Sequence, residues 1–305
     1  MNNRQWEGDE LLKLRELGGN CKTPEDWRNL TQYLPGRSGN ALRQKYGELI
    51  KSPAIPQSSY PSYNSPLEWE GDALVLPDPE FPFHNADWVN KCVALAQAWS
   101  IGHLVIAGDM VHMDSLSGWE PSWADDDDTE GEVANLPKEL EQARRAIVPL
   151  LEAFSSVDLI LGNHEGRMLR ALDSVLTPGM LLRFIGVERI RSAPYYHMTV
   201  LSNAVPYLIE HPRTTALGAP GVLADKFQKH VLMAHSHKVG MTTSRSGEWQ
   251  GWHIGCCVDE AKLAYASQRH NGGHPHKLGA AIVREGALYP LFDGWTDFEW
   301  MGRGT

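Results

Sequence analysis

The chain has 305 residues and a formal net charge of −10, with the composition of an ordinary globular protein and enough length for a large core and two domains. No apolar run approaches the roughly 18 residues of a membrane span, and the first residues lack the apolar stretch of a signal peptide. The expectation is a cytoplasmic protein with no membrane partner. Cys21, Cys92, Cys256 and Cys257 have no CxxC spacing, which indicates reduced thiols rather than a disulfide framework or a zinc finger.

The charge is unevenly spread. Residues 1–51 hold nine Lys/Arg and seven Asp/Glu, a balance of +2, which leaves about −12 on the other 254 residues. So acidic a body does not suit broad contact with nucleic-acid phosphates. Part of its charge could instead be metal ligands that bound cations neutralise.

In chain order, residues 9–17 form an amphipathic helix with Leu11, Leu12, Leu14 and Leu17 on or near one face. Gly18-Gly19-Asn20 ends it, and Thr23-Pro24-Glu25-Asp26 opens a second helix with a cap, a proline and first-turn acids. Pro35-Gly36 breaks that helix, and Ser38 caps a third that runs to about Ile50. Residues 52–66 are rich in Pro and Ser and read as an extended linker, with the second domain starting at residue 72. Ala73–Leu76, His103–Ala107 and residues 157–161 are short apolar runs predicted as buried strands, with helices over 86–100 and 139–154 between them. Residues 195–201, 207–210 and 231–234 read as further strands. Such alternation predicts an α/β-type fold with crossover connections. Asp125–Asp128 reads as a solvated acidic loop.

Polar residues stand where these runs end: Asp78, Asp109, Asn163-His164, His211 and His235-Ser236-His237. Strand ends are where α/β folds build sites, and Asp, Asn and His together ligate borderline-to-hard divalent metals. A carboxylate such as Asp109 can bridge two cations, and two cations can clamp a phosphate.

The order Asp78 … Gly108-Asp109 … Gly162-Asn163-His164-Glu165 … His211 … His235-Ser236-His237 resembles the calcineurin-like metallophosphoesterases. The resemblance implies an α+β, four-layer αββα metallo-dependent phosphatase sandwich over residues 72–305. It implies two divalent ions, Mn first with Mg, Fe or Zn as alternatives, and phosphate-ester hydrolysis by metal-activated hydroxide. Asp78 and His237 would bind the first metal, Asp109 would bridge, and Asn163, His211 and His235 would bind the second. His164 would face the substrate as an acid, and Glu165 would orient its neighbours. Where the family has Asp-x-His, this chain reads Asp78-Pro79-Glu80, so either Glu80 or the nearby His84 replaces the imidazole. His112 and Arg167 are candidate substrate contacts. His270, His274 and His276 suggest another metal but read first as a polar loop, and Trp119, Trp123, Trp249 and Trp252 could stack bases but read first as core or loop packing.

Residues 4–51, with Trp6, Trp27 and Leu34-Pro35-Gly36-Arg37-Ser38-Gly39-Asn40-Ala41-Leu42-Arg43-Gln44-Lys45-Tyr46, resemble a Myb/SANT-type three-helix helix-turn-helix domain. That resemblance implies an aromatic core of Trp6, Trp27 and Tyr46, and a third helix that meets DNA through Arg37, Asn40, Arg43, Gln44 and Lys45. The combination implies a DNA-directed phosphodiesterase or nuclease, of a kind also encoded by phages and mobile elements. The alternatives are a phosphomonoesterase or cyclic-nucleotide phosphodiesterase whose head binds a protein partner, and a non-catalytic DNA-binding protein with a degraded first metal site.

Overall fold

The computed structural model describes residues 6–51, 65–113, 136–171, 177–263 and 276–303. The linker up to residue 64, the Asp125–Asp128 run, Trp119, Trp123, His270 and His274 lie outside the described residues. The chain divides into two compact units, residues 1–61 and 62–305.

In the first unit, α1 (Gly8–Gly18), α2 (Pro24–Asn29) and α3 (Gly39–Lys51) surround Leu14, Trp27, Leu30, Leu34 and Leu42. Local chemistry sets the boundaries. Thr23 Oγ1 accepts from Asp26 N at 3.2 Å while Asp26 Oδ2 accepts from Thr23 N at 2.7 Å, a reciprocal cap at the start of α2. Ser38 Oγ accepts from Ala41 N at 3.2 Å at the start of α3. Trp6 and Tyr46 pack against the cluster, and the Trp27 and Tyr46 rings lie 5.4 Å apart.

The second unit holds two six-stranded sheets. The first has the order β12-β11-β2-β3-β4-β5, with β2 (Ala73–Leu76), β3 (His103–Ala107), β4 (Ser156–Ile160) and β5 (Arg191–Ser192) parallel. β11 (Gly279–Arg284) runs antiparallel to β2, and β12 (Ala287–Phe292) antiparallel to β11. The second sheet has the order β1-β6-β7-β8-β10-β9. There, β7 (Val205–Glu210), β8 (His230–Met233) and β10 (Gln250–Ile254) are parallel, β9 (Val239–Thr243) is antiparallel to β10, and β6 (His197–Ser202) is antiparallel to β7 but parallel to β1 (Glu68–Glu70).

The period-2 alternation of strand side chains sorts the apolar residues into separate layers. Val75, Val105, Ile160 and Ala281 of the first sheet meet Val200, Ile209, Leu232 and Ile254 of the second. The next residues along, Leu74, Leu76, Leu104, Ile106 and Leu159, face the other way. They pack on α4 (Ala86–Ala98), α5 (Leu136–Ala153) and α7 (Pro178–Ile185). On the outer face of the second sheet, Leu208, Val231 and Met233 cluster with Ala219 and Ala224 of α8 (Ala219–Phe227). Burial on both faces explains why β2 and β3 read as unbroken apolar runs. The two remaining helices are α6 (Asn163–Ala171) and α9 (Phe298–Gly302). Among the described residues no helix is long and apolar enough to cross a membrane.

One boundary is corrected. The second unit does not start at residue 72, because β1 (Glu68–Glu70) pairs in parallel with β6. Trp69 of this strand packs against the inter-sheet core and stacks on His103 at 3.7 Å. Trp69→Ala should therefore lower the stability of the second unit by about 2–3 kcal/mol. Urea unfolding followed by circular dichroism reads the change, and an unaltered midpoint would remove β1 from the cooperative fold.

Candidate metal centre

Three parallel strands of the first sheet and two of the second deliver the polar residues to one place. Asp78 follows β2, Asp109 follows β3, Asn163 and His164 follow β4, His211 follows β7, and His235 and His237 follow β8. The loops turn sharply there. Asp78, Glu80, Asp109, His235 and His237 are all at positive φ, between 43° and 71°. Such left-handed backbone costs on the order of 1 kcal/mol or more per non-glycine residue and clusters at functional sites. Two glycines make room. A Cβ on Gly162 would lie 2.1 Å from Asp109 Oδ1, and one on Gly108, at φ +83°, 2.3 Å from His211 Nδ1.

Asp78, Glu80 and Asp109 are buried together. Burial, then the charges of Asp78 and Glu80, raise the Asp109 carboxyl well above the ordinary carboxylate range. Asp109 therefore sits where negative charge is in excess, and a cation would relieve it. Around the carboxylates stand imidazoles. His237 Nε2 is 3.4 Å from Glu80 Oε1 and 3.6 Å from Asp78 Oδ1. Burial alone would depress His237, but Asp78, Glu80 and Asp109 overcome that and raise it to about 9. His235 donates its backbone N–H to Asp78 Oδ2 at 2.9 Å, and burial with the nearby His211 lowers its ring to about 4.

The His211 ring is placed as a metal-ligating imidazole would be. Its Nδ1 lies 3.0 Å from the Ala107 carbonyl oxygen, an acceptor only, so Nδ1 carries the proton. In the neutral ring Nε2 then presents a lone pair. It faces Asn163 Oδ1 at 3.1 Å and Asp109 Oδ2 at 3.5 Å, both electron-rich oxygens. Three acceptors converging on one point suit a cation, and the carbonyl behind Nδ1 is the usual partner of a metal-ligating imidazole. Asp109, His211 and His235 bring one ligand atom each within 4.8 Å of one another.

Glu165 organises the loops. Its carboxylate accepts from Gly162 N at 2.8 Å, Asp109 N at 3.1 Å, Met110 N at 2.8 Å and Val111 N at 3.4 Å. Burial and the charge of Asp109 push its carboxyl up to about 7, against the pull of these donors. His164 donates its backbone N–H to Asp109 Oδ1 at 2.8 Å. Its ring stands 3.7 Å from Asp109 Oδ2 and 4.0 Å from Glu80 Oε2. Burial, with Arg167 and His112 adding to it, lowers His164 to about 3 against the opposing pull of Glu80.

Of the two replacements for the first-motif histidine, the structure brings Glu80 into the site. Glu80 pairs with His112 Nδ1, and burial of the carboxyl is outweighed by that bond and the neighbouring imidazoles, which lower it to about 2. His84 is placed elsewhere: its ring packs edge-on to Phe81 at 4.7 Å, with Nδ1 3.2 Å from the Pro82 carbonyl. Arg167 reaches the His112 carbonyl at 3.5 Å. His276 stands in an irregular segment before β11, and its ring lies 4.3 Å from that of His237. Cys256, ranked only as a reduced thiol, joins the same two rings. Cys256 carries no spacing signal, because long-range pairing brings it here, whereas the histidines of the Gly-rich segment suggest a metal on sequence alone.

In the first unit, Asn40, Arg43 and Gln44 are exposed on α3. Arg37 is not part of that face: its guanidinium pairs with Glu10 at 2.7 Å and lies 4.1 Å over the Trp6 ring. Lys45 pairs with Glu48 at 2.9 Å.

Neither protein-family models nor curated proteins match the chain.

Two outcomes follow. Glu165→Gln turns an amide N–H toward backbone donors, so stability of the second unit should fall by about 2–3 kcal/mol and Mn affinity roughly 10–100-fold. Urea unfolding and calorimetric titration measure these, and an unchanged Mn affinity would refute the loop-organising role. The second concerns His237 in the metal-free protein. Its folded pKa lies above its unfolded value of 6.5, so its stabilisation is complete below pH 6.5 and lost as pH rises through about 9. Urea midpoints should decline over that window, and His237→Gln should flatten the decline.

Proposed function

We propose that the chain is a dinuclear-metal phosphoesterase of the calcineurin-like type, directed to DNA as a phosphodiesterase or nuclease by its N-terminal head. The observation that carries the first half is the convergence of His211 Nε2, Asn163 Oδ1 and Asp109 Oδ2 on one point beside the buried carboxylates. Two sheets sharing a core, with helices outside both, agree with the fold that the sequence resemblance implies.

In this reading Asp78, Glu80, Asp109 and His237 hold one cation, and Asp109, Asn163, His211 and His235 hold the other. Carboxylate in place of imidazole at position 80 makes the first seat harder and favours manganese. The cations, when bound, neutralise phosphate charge and activate water. The protein's own groups do the rest. Glu165 and the glycines fix the loops, so the ligands need little rearrangement. His164 lies between Asp109 and Glu80 as a neutral ring at working pH, which still offers an N–H to a phosphoryl oxygen. An arriving phosphodiester monoanion raises its pKa and so favours its carrying a proton to the leaving oxygen.

The head contributes DNA affinity through Arg43, Asn40 and Gln44. Arg and Asn or Gln side chains on a helix have the donors that read guanine and adenine edges. Arg37, bound to Glu10 and Trp6, acts through the head's stability instead.

With Mn, purified protein should hydrolyse bis-p-nitrophenyl phosphate and labelled DNA. Hydrolysis of p-nitrophenyl phosphate alone would sink the nuclease reading and favour the phosphomonoesterase. His164→Asn should reduce kcat by about 10²–10⁴ with Mn affinity retained. Arg43→Ala should weaken DNA binding by about 1–3 kcal/mol without changing the head's unfolding midpoint, whereas Arg37→Ala should shift that midpoint. Unchanged DNA affinity on removing residues 1–66 would refute the role of the head.

A further inference from the structure

One group of metal-ligating side chains reaches beyond both cation seats. His237, Cys256 and His276 bring one ligand atom each within 4.8 Å of one another. They come from three separate segments, and the backbone ties those segments together. Lys277 N donates to the His237 carbonyl at 3.0 Å, and Cys256 N donates to the Lys277 carbonyl at 3.0 Å. Cys256 also bridges to Leu278, and His276 N donates to Glu260 Oε2 at 3.0 Å. The three side chains are thus held by a ladder rather than meeting on a loose surface. Cys256 is fully buried, with Sγ 3.6 Å from the Lys277 carbonyl.

The chemistry of this group differs from that of its neighbours. Asp78, Glu80 and Asp109 present oxygen, which suits hard cations. One thiol and two imidazoles suit Zn, Cd or Co, for which thiolate sulfur is a preferred donor. The surrounding carboxylates add a negative field that draws any divalent cation.

We propose that His237, Cys256 and His276 form a third seat, selective for a thiophilic divalent cation, which shares His237 with the first seat. Binding is an exchange without redox change: the Cys256 S–H bond gives its proton to solvent as the sulfur–metal bond forms. The shared ring couples the seats, since a cation bound at sulfur constrains the imidazole that Asp78 and Glu80 otherwise orient. Excess Zn therefore inhibits the Mn-dependent reaction. That consequence rests on the phosphoesterase reading, whereas the seat itself does not.

The test is titration of the full chain with Co²⁺ in the absence of substrate, read by the sulfur-to-cobalt charge-transfer band in the near ultraviolet. Wild type should develop the band, Cys256→Ser should abolish it, and Cys21→Ser should retain it. His276→Gln leaves the buried thiol in place and should weaken the Co²⁺ affinity read from the band at least roughly tenfold, the lower bound for disturbing a ligand's surroundings. A folded wild type without the band, or a band that survives Cys256→Ser, overturns the seat. Failure of the phosphoesterase reading shows differently, as a normal cobalt band in a protein that hydrolyses nothing with Mn.

Discussion

The constraint on which the second unit depends is the enclosure of Asp78, Glu80 and Asp109 in one buried volume. Like charges so placed cannot all stay ionised without positive charge among them. The fold answers in part with its own groups. His237 is held protonated by the carboxylates, and the backbone N–H groups of His235 and His164 donate to Asp78 and Asp109. These contacts also join the layers, since Asp78 leaves the first sheet and His235 the second. What closes the inter-sheet core at this end is therefore a polar network as well as the apolar contacts of Val75, Val105, Ile209 and Leu232. A cation would displace the His237 proton and replace a weak internal counter-charge with a stronger one.

The same crowding explains the local backbone. Strand ends must bend within one or two residues to aim short side chains back at a common point. Asp78, Glu80, Asp109, His235 and His237 do so in the left-handed region, where side-chain-bearing residues are strained. Glu165 offsets that strain by collecting the N–H groups of the Asp109 and Gly162 loops on one carboxylate. Gly108 and Gly162 are then steric necessities, because the atoms nearest their missing Cβ positions are site atoms themselves.

Much of this was legible in the sequence, for identifiable reasons. β2 and β3 were readable to the residue because a parallel strand buried on both faces is an unbroken apolar run. The polar residues of the candidate centre were readable in order because each follows such a run. β1 was not, since Glu-Trp-Glu has one apolar residue and its pairing partner lies far along the chain. The choice between Glu80 and His84 was not either, because it turns on a positive φ at Glu80 that aims its carboxylate inward. Cys256 and His276 are joined by the bridge beside β11, a contact with no local pattern. Arg37 looked like one more cation of a DNA-facing helix, but Glu10 and Trp6, more than 25 residues earlier, claim it.

The division of charge between the units bears on how the parts would work together. Residues 52–305 carry about −12, and two divalent cations would bring that only to about −8 (−12 + 4). A polyanionic substrate still meets net repulsion, screened over about 8 Å at physiological ionic strength. In the proposed reading attraction is then local: the cations would act at the bond to be broken, and a separate surface would hold the rest of the substrate. In the proposed reading the exposed Arg43, Asn40 and Gln44 would supply such a surface, on a unit of opposite net sign joined by a covalent segment rich in Pro and Ser. Tethering raises the effective concentration of substrate at the centre without adding contacts there. The acidic centre would then be free to serve cations alone, which its buried carboxylates could hold.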